Sequence, residues 1–274
     1  MGRFTDKVVI VTGSSAGIGK AALIGFAKEG ASVVLHGTNS ERLAEAEKSL
    51  HEAGIPESRI LKIKGELTND AVHDQIINET MTRFGKIDVL VNNAGVFKKP
   101  GNSNTAIENF DYVFNVNVRA IFRLVELATP HLEKTKGNII NVSSIVGISK
   151  NQEFGPEALV YAMTKSALDR YTQNVNQSLM KKGIRINNIN PGPFQSNFGR
   201  RGGGDAKNDE VLLSEDFPKV ILKSTPAGRF GQPEELVPAF LLLADEKSSF
   251  ITGALWVLDG GMSTWAPETT DLKL

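Results

Sequence analysis

The stretch "KVVIVTGSSAGIG", residues 7–19, decides how the chain is read. Its first half, Val8 to Val11, is β-branched throughout and too short for a helix. An unbroken apolar run of that kind predicts a strand buried on both faces. Its second half turns at Gly13 and enters "GIGKAALIGFAKEG", residues 17–30. There Ile18, Ala22, Ile24, Phe26 and Ala27 fall at roughly helical spacing, with Gly30 as the stop. Strand, glycine turn and helix together make the first half of a β-α-β unit.

The same alternation continues along the chain. "SVVLHG" (32–37) is a second strand, and "SERLAEAEKSLHEAG" (40–54) a helix with a Ser40 cap and a Gly54 stop. "RILKIKG", "IDVLVNNAG" (87–95), "GNIINVSS" (137–144), "IRINNINPG" (184–192) and "ALWVLDGG" supply the other strands. Helices fill the intervals: "NDAVHDQIINETMTRFG", a long region to about Leu132, one from about Pro156 to Lys182, and one near 234–244. Strands that alternate with helices predict an α/β fold. The expected architecture is a single doubly wound Rossmann-type domain over residues 1–274, a seven-stranded parallel sheet with helices on both faces. No linker or repeat marks a second domain. "RRGGGDAKNDE" lies within 197–217, at the carboxyl end of a strand, and is read as a substrate lid; 262–274 is read as an irregular tail.

Composition narrows the function classes. The 274 residues are 41% hydrophobic, enough for a large core. Lys+Arg and Asp+Glu are both 31, which argues against a partner bound by phosphate neutralisation, so no nucleic acid is expected. No cysteine is present, which excludes disulfides, thiolate metal sites and a thiol nucleophile. No run is long enough to span a bilayer, and the first apolar run is too short for a leader. A cytoplasmic location is expected, with the closing Leu272-Lys273-Leu274 leaving a peroxisomal address as the alternative.

Gly13, Gly17 and Gly19 stand where backbone must turn sharply and come close to a ligand. The free N–H groups opening the next helix suit a pyrophosphate. The second strand ends "LHGTNSER", with no acid before Glu41. An acid there would hold ribose hydroxyls and repel a 2′-phosphate, so its absence favours NADP(H), with NAD(H) the alternative. Thr38, Asn39 and Ser15 offer neutral hydrogen bonds, and Arg42 is a further candidate. Methyltransferases that use S-adenosylmethionine have a similar loop, but usually with an acid at that strand end.

Further along, "NNAG" (92–95), "NVN" (115–117), "SS" (143–144), "YAMTK" (161–165) and "NPGPFQS" (190–196) all fall near carboxyl ends of strands. Reducing a carbonyl requires a proton on oxygen, and a phenol can deliver one. The ordinary tyrosine value near 10 is high for the reverse step, and a nearby ammonium lowers it. Tyr161 and Lys165 are one helical turn apart and share a face. A hydroxyl at Ser144, with Ser143 as its competitor, would steady developing charge on the substrate oxygen.

In this order the set TGxxxGxG, NNAG, Asn, Ser, YxxxK, PG and DGG resembles the short-chain dehydrogenase/reductase family, up to Gly261. The resemblance implies hydride transfer between NADP(H) and a carbonyl or alcohol. It implies Tyr161 as acid/base, Ser144 as donor to the substrate oxygen, Lys165 as tuner and ribose ligand, and Asn117 as holder of a water in a proton relay. It implies that Gly13, Ser15, Gly17, Ile18, Gly19, Thr38, Asn39, Leu67, Asn93, Ala94 and Gly95 line the cofactor. Pro191, Gly192, Phe194 and Ser196 would hold the carboxamide. Glu66 stands where the family usually has Asp, so the backbone of Leu67 is the better candidate at the adenine; the inserted "KNQEFGPEA" would reshape the substrate mouth. A homotetramer is implied, a dimer next. The competing class is a non-catalytic dinucleotide sensor, which would not need the serine.

Other features carry less. The four histidines (36, 51, 73, 131) fit no metal spacing and are read as surface or helix-face residues. Asp88 and Asp259 are read as turn or cap residues, and Lys98, Lys99, Arg200 and Arg201 as a solvated rim. Phe97, Ile145, Val146, Phe154, Phe198 and Phe217 are candidates for an apolar pocket.

Overall fold

The computed structural model describes residues 2–101, 105–149, 158–196 and 223–264, with 200, 201, 210, 211 and 219. The strands β1 (Val8–Val11), β2 (Ser32–Gly37), β3 (Ile60–Lys64), β4 (Val89–Asn92), β5 (Asn138–Val142), β6 (Arg185–Pro191) and β9 (Leu255–Leu258) form one seven-stranded sheet. Its order is β3-β2-β1-β4-β5-β6-β9, and every pairing is parallel. The chain order reverses direction next to β1, between β1 and β4, which opens a crevice at the carboxyl ends of the strands.

Alternating residues of each strand enter separate cores. Val9 and Val11 pack on one face with α1 (Gly17–Lys28), α2 (Ser40–Glu52) and α7 (Val237–Ala244). Ile10 packs on the other with α3 (Asp70–Phe84), α5 (Ala120–Thr135) and α6 (Leu159–Met180). All four residues of β1 are buried, which is why this strand shows no polar alternation in sequence. Among the described residues no helix is long and apolar enough to cross a membrane.

Several local features differ from expectation. The cap of α2 is Asn39, whose side chain accepts from the Arg42 N–H, and Ser40 is already inside the helix. The long region before β5 is not one helix. α4 (Ala106–Phe114) opens on a capping box of Thr105 and Glu108, then passes through one π-helical turn, Asn115–Arg119, into α5. Arg200–Arg201 (β7) and Glu210–Val211 (β8) pair antiparallel within the segment read as a lid. Met262–Thr264 form a 3₁₀ turn rather than an irregular start to the tail, because Met262 is buried against Ile145 and Phe230. The rest of 197–217, residues 265–274, the insertion over 150–157, and Phe154, Phe198 and Phe217 lie outside the described residues.

Candidate functional site

The glycine turn between β1 and α1 is built for close approach. Gly13 and Gly17 have φ of 62° and 55°, in the left-handed region. A Cβ on Gly13 would lie 2.8 Å from Ala94 Cα; one on Gly19 would collide with the Asn93 amide and lie 2.6 Å from Gly13 O. Asn93 Nδ2 donates to Thr12 O (2.8 Å) and Gly13 O (3.0 Å). The Thr12 hydroxyl accepts from the N–H groups of Asn93 and Ala94, both at 3.1 Å. The "NNAG" loop after β4 is thus tied to the turn after β1.

The opening of α1 has neither a side-chain cap bond nor an acid in its first turn. Positive dipole and backbone donors are left to an anion there. This bare glycine cradle fits a dinucleotide pyrophosphate, which Ser15, Gly17, Ile18 and Gly19 could hold. Ser15 lies beside the end of β2, its Oγ 2.7 Å from where a Cβ on Gly37 would sit. Thr38 beyond it is exposed, and Asn39 spends its oxygen on the α2 cap. Leu67 is buried after β3, with its carbonyl accepting from His73 Nε2–H at 3.0 Å.

Opposite the turn, α6 carries Tyr161 and Lys165 into the crevice, and both are buried. Ser144 caps the 3₁₀ turn Ile145–Gly147 after β5, its Oγ accepting from the Val146 N–H at 3.3 Å. The Ser144 hydroxyl and the Tyr161 phenol are hydrogen-bonded to each other. Ser143 instead faces inward and donates to Lys165 O at 3.2 Å. Lys165 Nζ donates to Val142 O at 2.7 Å and stands 5.4 Å from the centre of the Tyr161 ring.

Asn117, in the π turn, accepts from Val96 N–H and donates to Val96 O, both at 2.8 Å, and donates to Thr164 Oγ1 at 3.1 Å. Asn117 Oδ1 and Lys165 Nζ are each 3.6 Å from where a Cβ on Gly95 would sit, so both border that glycine. Single π turns inside helices are rare, and those that occur are frequent at functional sites.

The loop after β6 completes the wall. Gly192 N–H donates to Leu258 O at 2.9 Å, and a Cβ on Gly192 would lie 2.6 Å from Asp259 Cβ. Phe194 packs over Gly231, and Ser196 Cβ lies 3.2 Å from the Cβ position of Gly17. Pro191, Gly192, Phe194 and Ser196 therefore reach from β6 back to the glycine turn. Phe97 meets Tyr161 ring to ring at 5.5 Å, with Ala158 and Val146 alongside. Ile145 packs elsewhere, on Met262 and Phe230.

Burial dominates the electrostatics. It pushes the Tyr161 phenol above its ordinary value, and the Ser144 hydrogen bond pulls the other way. The same burial lowers Lys165 to about 8, opposed by Asp169. Lysine was expected to lower the phenol; the largest cause found is desolvation of the phenolate, which raises it. These side chains by themselves leave Tyr161 protonated, the form that can donate.

Several residues here were missed from sequence. Asp169 and the asparagines of β6 form a buried polar layer under Ser143 and Ser144. The signal was present: "NNIN" inside a strand is costly unless partners await it. His36 was misread as surface. It is buried in β2, where Nδ1 accepts from Gly13 N–H (3.2 Å) and Nε2–H donates to Gly65 O (3.1 Å). His73 is on a helix face as read, but fully buried. Asp88 and Asp259 are turn residues, accepting from Val8 N–H and from Gly261 and Ser263 N–H. Lys99 pairs with Glu108 at 3.8 Å. Among the described residues no three His, Asp or Glu side chains group as a metal site.

Comparison with known proteins agrees with this fold. The family model for short chain dehydrogenase matches residues 7–203. A 3-oxoacyl-[acyl-carrier-protein] reductase of Thermotoga maritima is 33% identical over 264 residues, covering 95% of this chain and 99% of that protein. An L-fucose dehydrogenase of Mus musculus is 35% identical over 266 residues, covering 94% and 89%. The crystal structure of a short-chain dehydrogenase/reductase of unknown function from Caenorhabditis elegans, with cofactor, superposes with a TM-score of 0.86 at 37% identity, covering 97% and 98%. With its parallel sheet, glycine turn and crevice alike accounted for, the chain belongs to the short-chain dehydrogenase/reductase family, oxidoreductases that use a nicotinamide nucleotide.

Proposed function

We propose that the protein is an NADP(H)-preferring carbonyl reductase/alcohol dehydrogenase in which Tyr161 passes the proton. The observation that carries this is the Ser144–Tyr161 hydrogen bond beside Lys165, at the carboxyl ends of the central strands. The bound nicotinamide supplies or accepts the hydride. Tyr161 donates its proton to the substrate oxygen and takes it back in the reverse direction. Ser144 gives up its bond to the phenol to hold that oxygen. Lys165 contributes positive charge beside the phenol and a donor for the ribose, while Val142 O fixes its ammonium. Asn117 is held by Val96 with its oxygen next to Gly95, suited to keep a water near Lys165.

Phe97, Val146 and Ala158 around Tyr161 favour a small to medium apolar group beside the reacting carbon. Exposed Phe122, Leu159 and Met163 on α5 and α6 support assembly as a homo-oligomer, a tetramer first and a dimer next.

The test is Tyr161→Phe, assayed by absorbance of the reduced nicotinamide against a carbonyl and alcohol panel. Turnover is expected to fall at least about 10²-fold, with cofactor binding retained, because only the proton donor is removed. Undiminished turnover rejects the assignment.

A further inference from the structure

We propose that Asp169 is a positioning residue for the reaction, holding Ser144 through Asn190 and sustaining the charge of Lys165 one helical turn away. This rests on the reading of Tyr161, Ser144 and Lys165 given above. Asp169 touches neither substrate oxygen nor cofactor on that reading. It sits on the face of α6 that meets β6 and the turn after β5.

The arrangement around it is specific. Asn188 Nδ2 donates to Asp169 Oδ1 at 2.8 Å. Asn190 Nδ2 donates to Oδ1 and Oδ2 at 3.1 and 3.0 Å, and also to the Ser144 carbonyl at 3.2 Å. The Ser143 hydroxyl is shared between the Lys165 carbonyl and the Asp169 carboxylate. Every side-chain partner named here donates to Asp169, which suits an acceptor-only, ionised carboxylate. Burial pushes its value up, and these donors together with Lys165 oppose that.

Behind this layer the network continues through Thr172 and Asn141 to Asn92. It thus ties α6 to β6, β5 and β4 at the level of the crevice. Gly147 allows the close contact: a Cβ there would lie 3.0 Å from Asp169 Oδ2 and 2.8 Å from the Lys165 carbonyl carbon.

The charge argument is separate. Lys165 is buried, and burial disfavours its ammonium. Among the described residues the titratable groups facing it are Tyr161 and Asp169, both on α6. β5 presents the Val142 carbonyl, the loop after β4 presents Gly95, and the π turn presents Asn117, all neutral. A buried cation with one anion in reach depends on it.

Two variants test the proposal. The Lys165 ammonium is titrated in cofactor-free protein by NMR of carbon-13-labelled lysine, with its signal identified by loss in Lys165→Arg. In Asp169→Asn the midpoint is expected to move down from about 8 by roughly one unit or more, and the alkaline limb of kcat with it. In Asn190→Ala, kcat is expected to fall about tenfold or more while the lysine midpoint stays in place. A merely structural role would lower the unfolding midpoint and leave the titration unmoved.

A folded Asp169→Asn with an unchanged midpoint, or Asn190→Ala with unchanged kcat, overturns the proposal. If Asp169→Asn does not fold, the kcat of Asn190→Ala decides alone. Normal turnover by Tyr161→Phe would instead remove the underlying reading, and the lysine titration, which needs no turnover, keeps the two failures apart.

Discussion

A histidine enclosed as His36 is must be neutral to do what it does. Its Nδ1 accepts from the Gly13 N–H, so its one proton is on Nε2, donated to Gly65 O. Burial holds it down to about 4, with His73 adding to that and the Gly65 bond opposing. Its folded value is therefore depressed below the ordinary 6.5. Between those two values the unfolded chain takes up a proton that the folded chain refuses. Stability is thus fully present above about pH 6.5 and falls as pH drops towards 4, by up to about 3 kcal/mol. Urea unfolding from pH 7 to 4.5 is expected to show this slope, and His36→Asn to flatten it by about one proton. The proposed cofactor preference rests on the same turn. No acid stands between Gly37 and Glu41, so a 2′-phosphate meets no carboxylate there. Fluorescence titration is expected to rank NADPH above NADH, and the opposite order would count against the reading. Tyr161, Lys165 and the glycines were legible as residues because their spacing is local. Asp169 and His36 were not, since their partners are separated by 19 to 29 positions along the chain.

Elements were readable wherever one period dominated. The strands and most helices lie within a few residues of their sequence limits, because buried β-branched runs and helical spacing differ in period. The π turn at Asn115–Arg119 was invisible, since its residues read as ordinary helix and the partner of its Asn117, Val96, lies 21 positions away. Likewise Asn39 and Ser40 are both good caps, and the path of the chain leaving β2 chooses between them. The first turn of α1 tolerates no side chain at Gly19. Gly19→Ala forces the added methyl onto the Asn93 amide and Gly13 O, parting the turn from the loop after β4. We expect a loss of about 1–3 kcal/mol in urea unfolding, and cofactor affinity reduced about tenfold or more in titration. Wild-type affinity in that variant would show that the clamp does not shape the cradle.

At the scale of the molecule, the outward faces of α5 and α6 leave Phe122 56%, Leu159 62%, Met163 43% and Met180 43% exposed, with the Phe122 ring tilted against Tyr171 at 5.6 Å. Apolar exposure of that kind on neighbouring helices is suited to a second copy. Phe122→Glu is expected to shift sedimentation towards smaller species while leaving the urea midpoint within about 0.5 kcal/mol; an unchanged distribution would place the interface elsewhere. The sequence by itself determined the α/β class, the parallel sheet, the glycine cradle and the Tyr161–Lys165 pair, because each rests on periods and spacings within one or two elements. Tertiary structure decided how the two adjacent serines are placed: the turn over α6 sends Ser143 inward and Ser144, the one the family resemblance implies, to the phenol. It also decided that burial raises the Tyr161 phenol, because desolvation is a property of everything packed around a group and of no residue spacing.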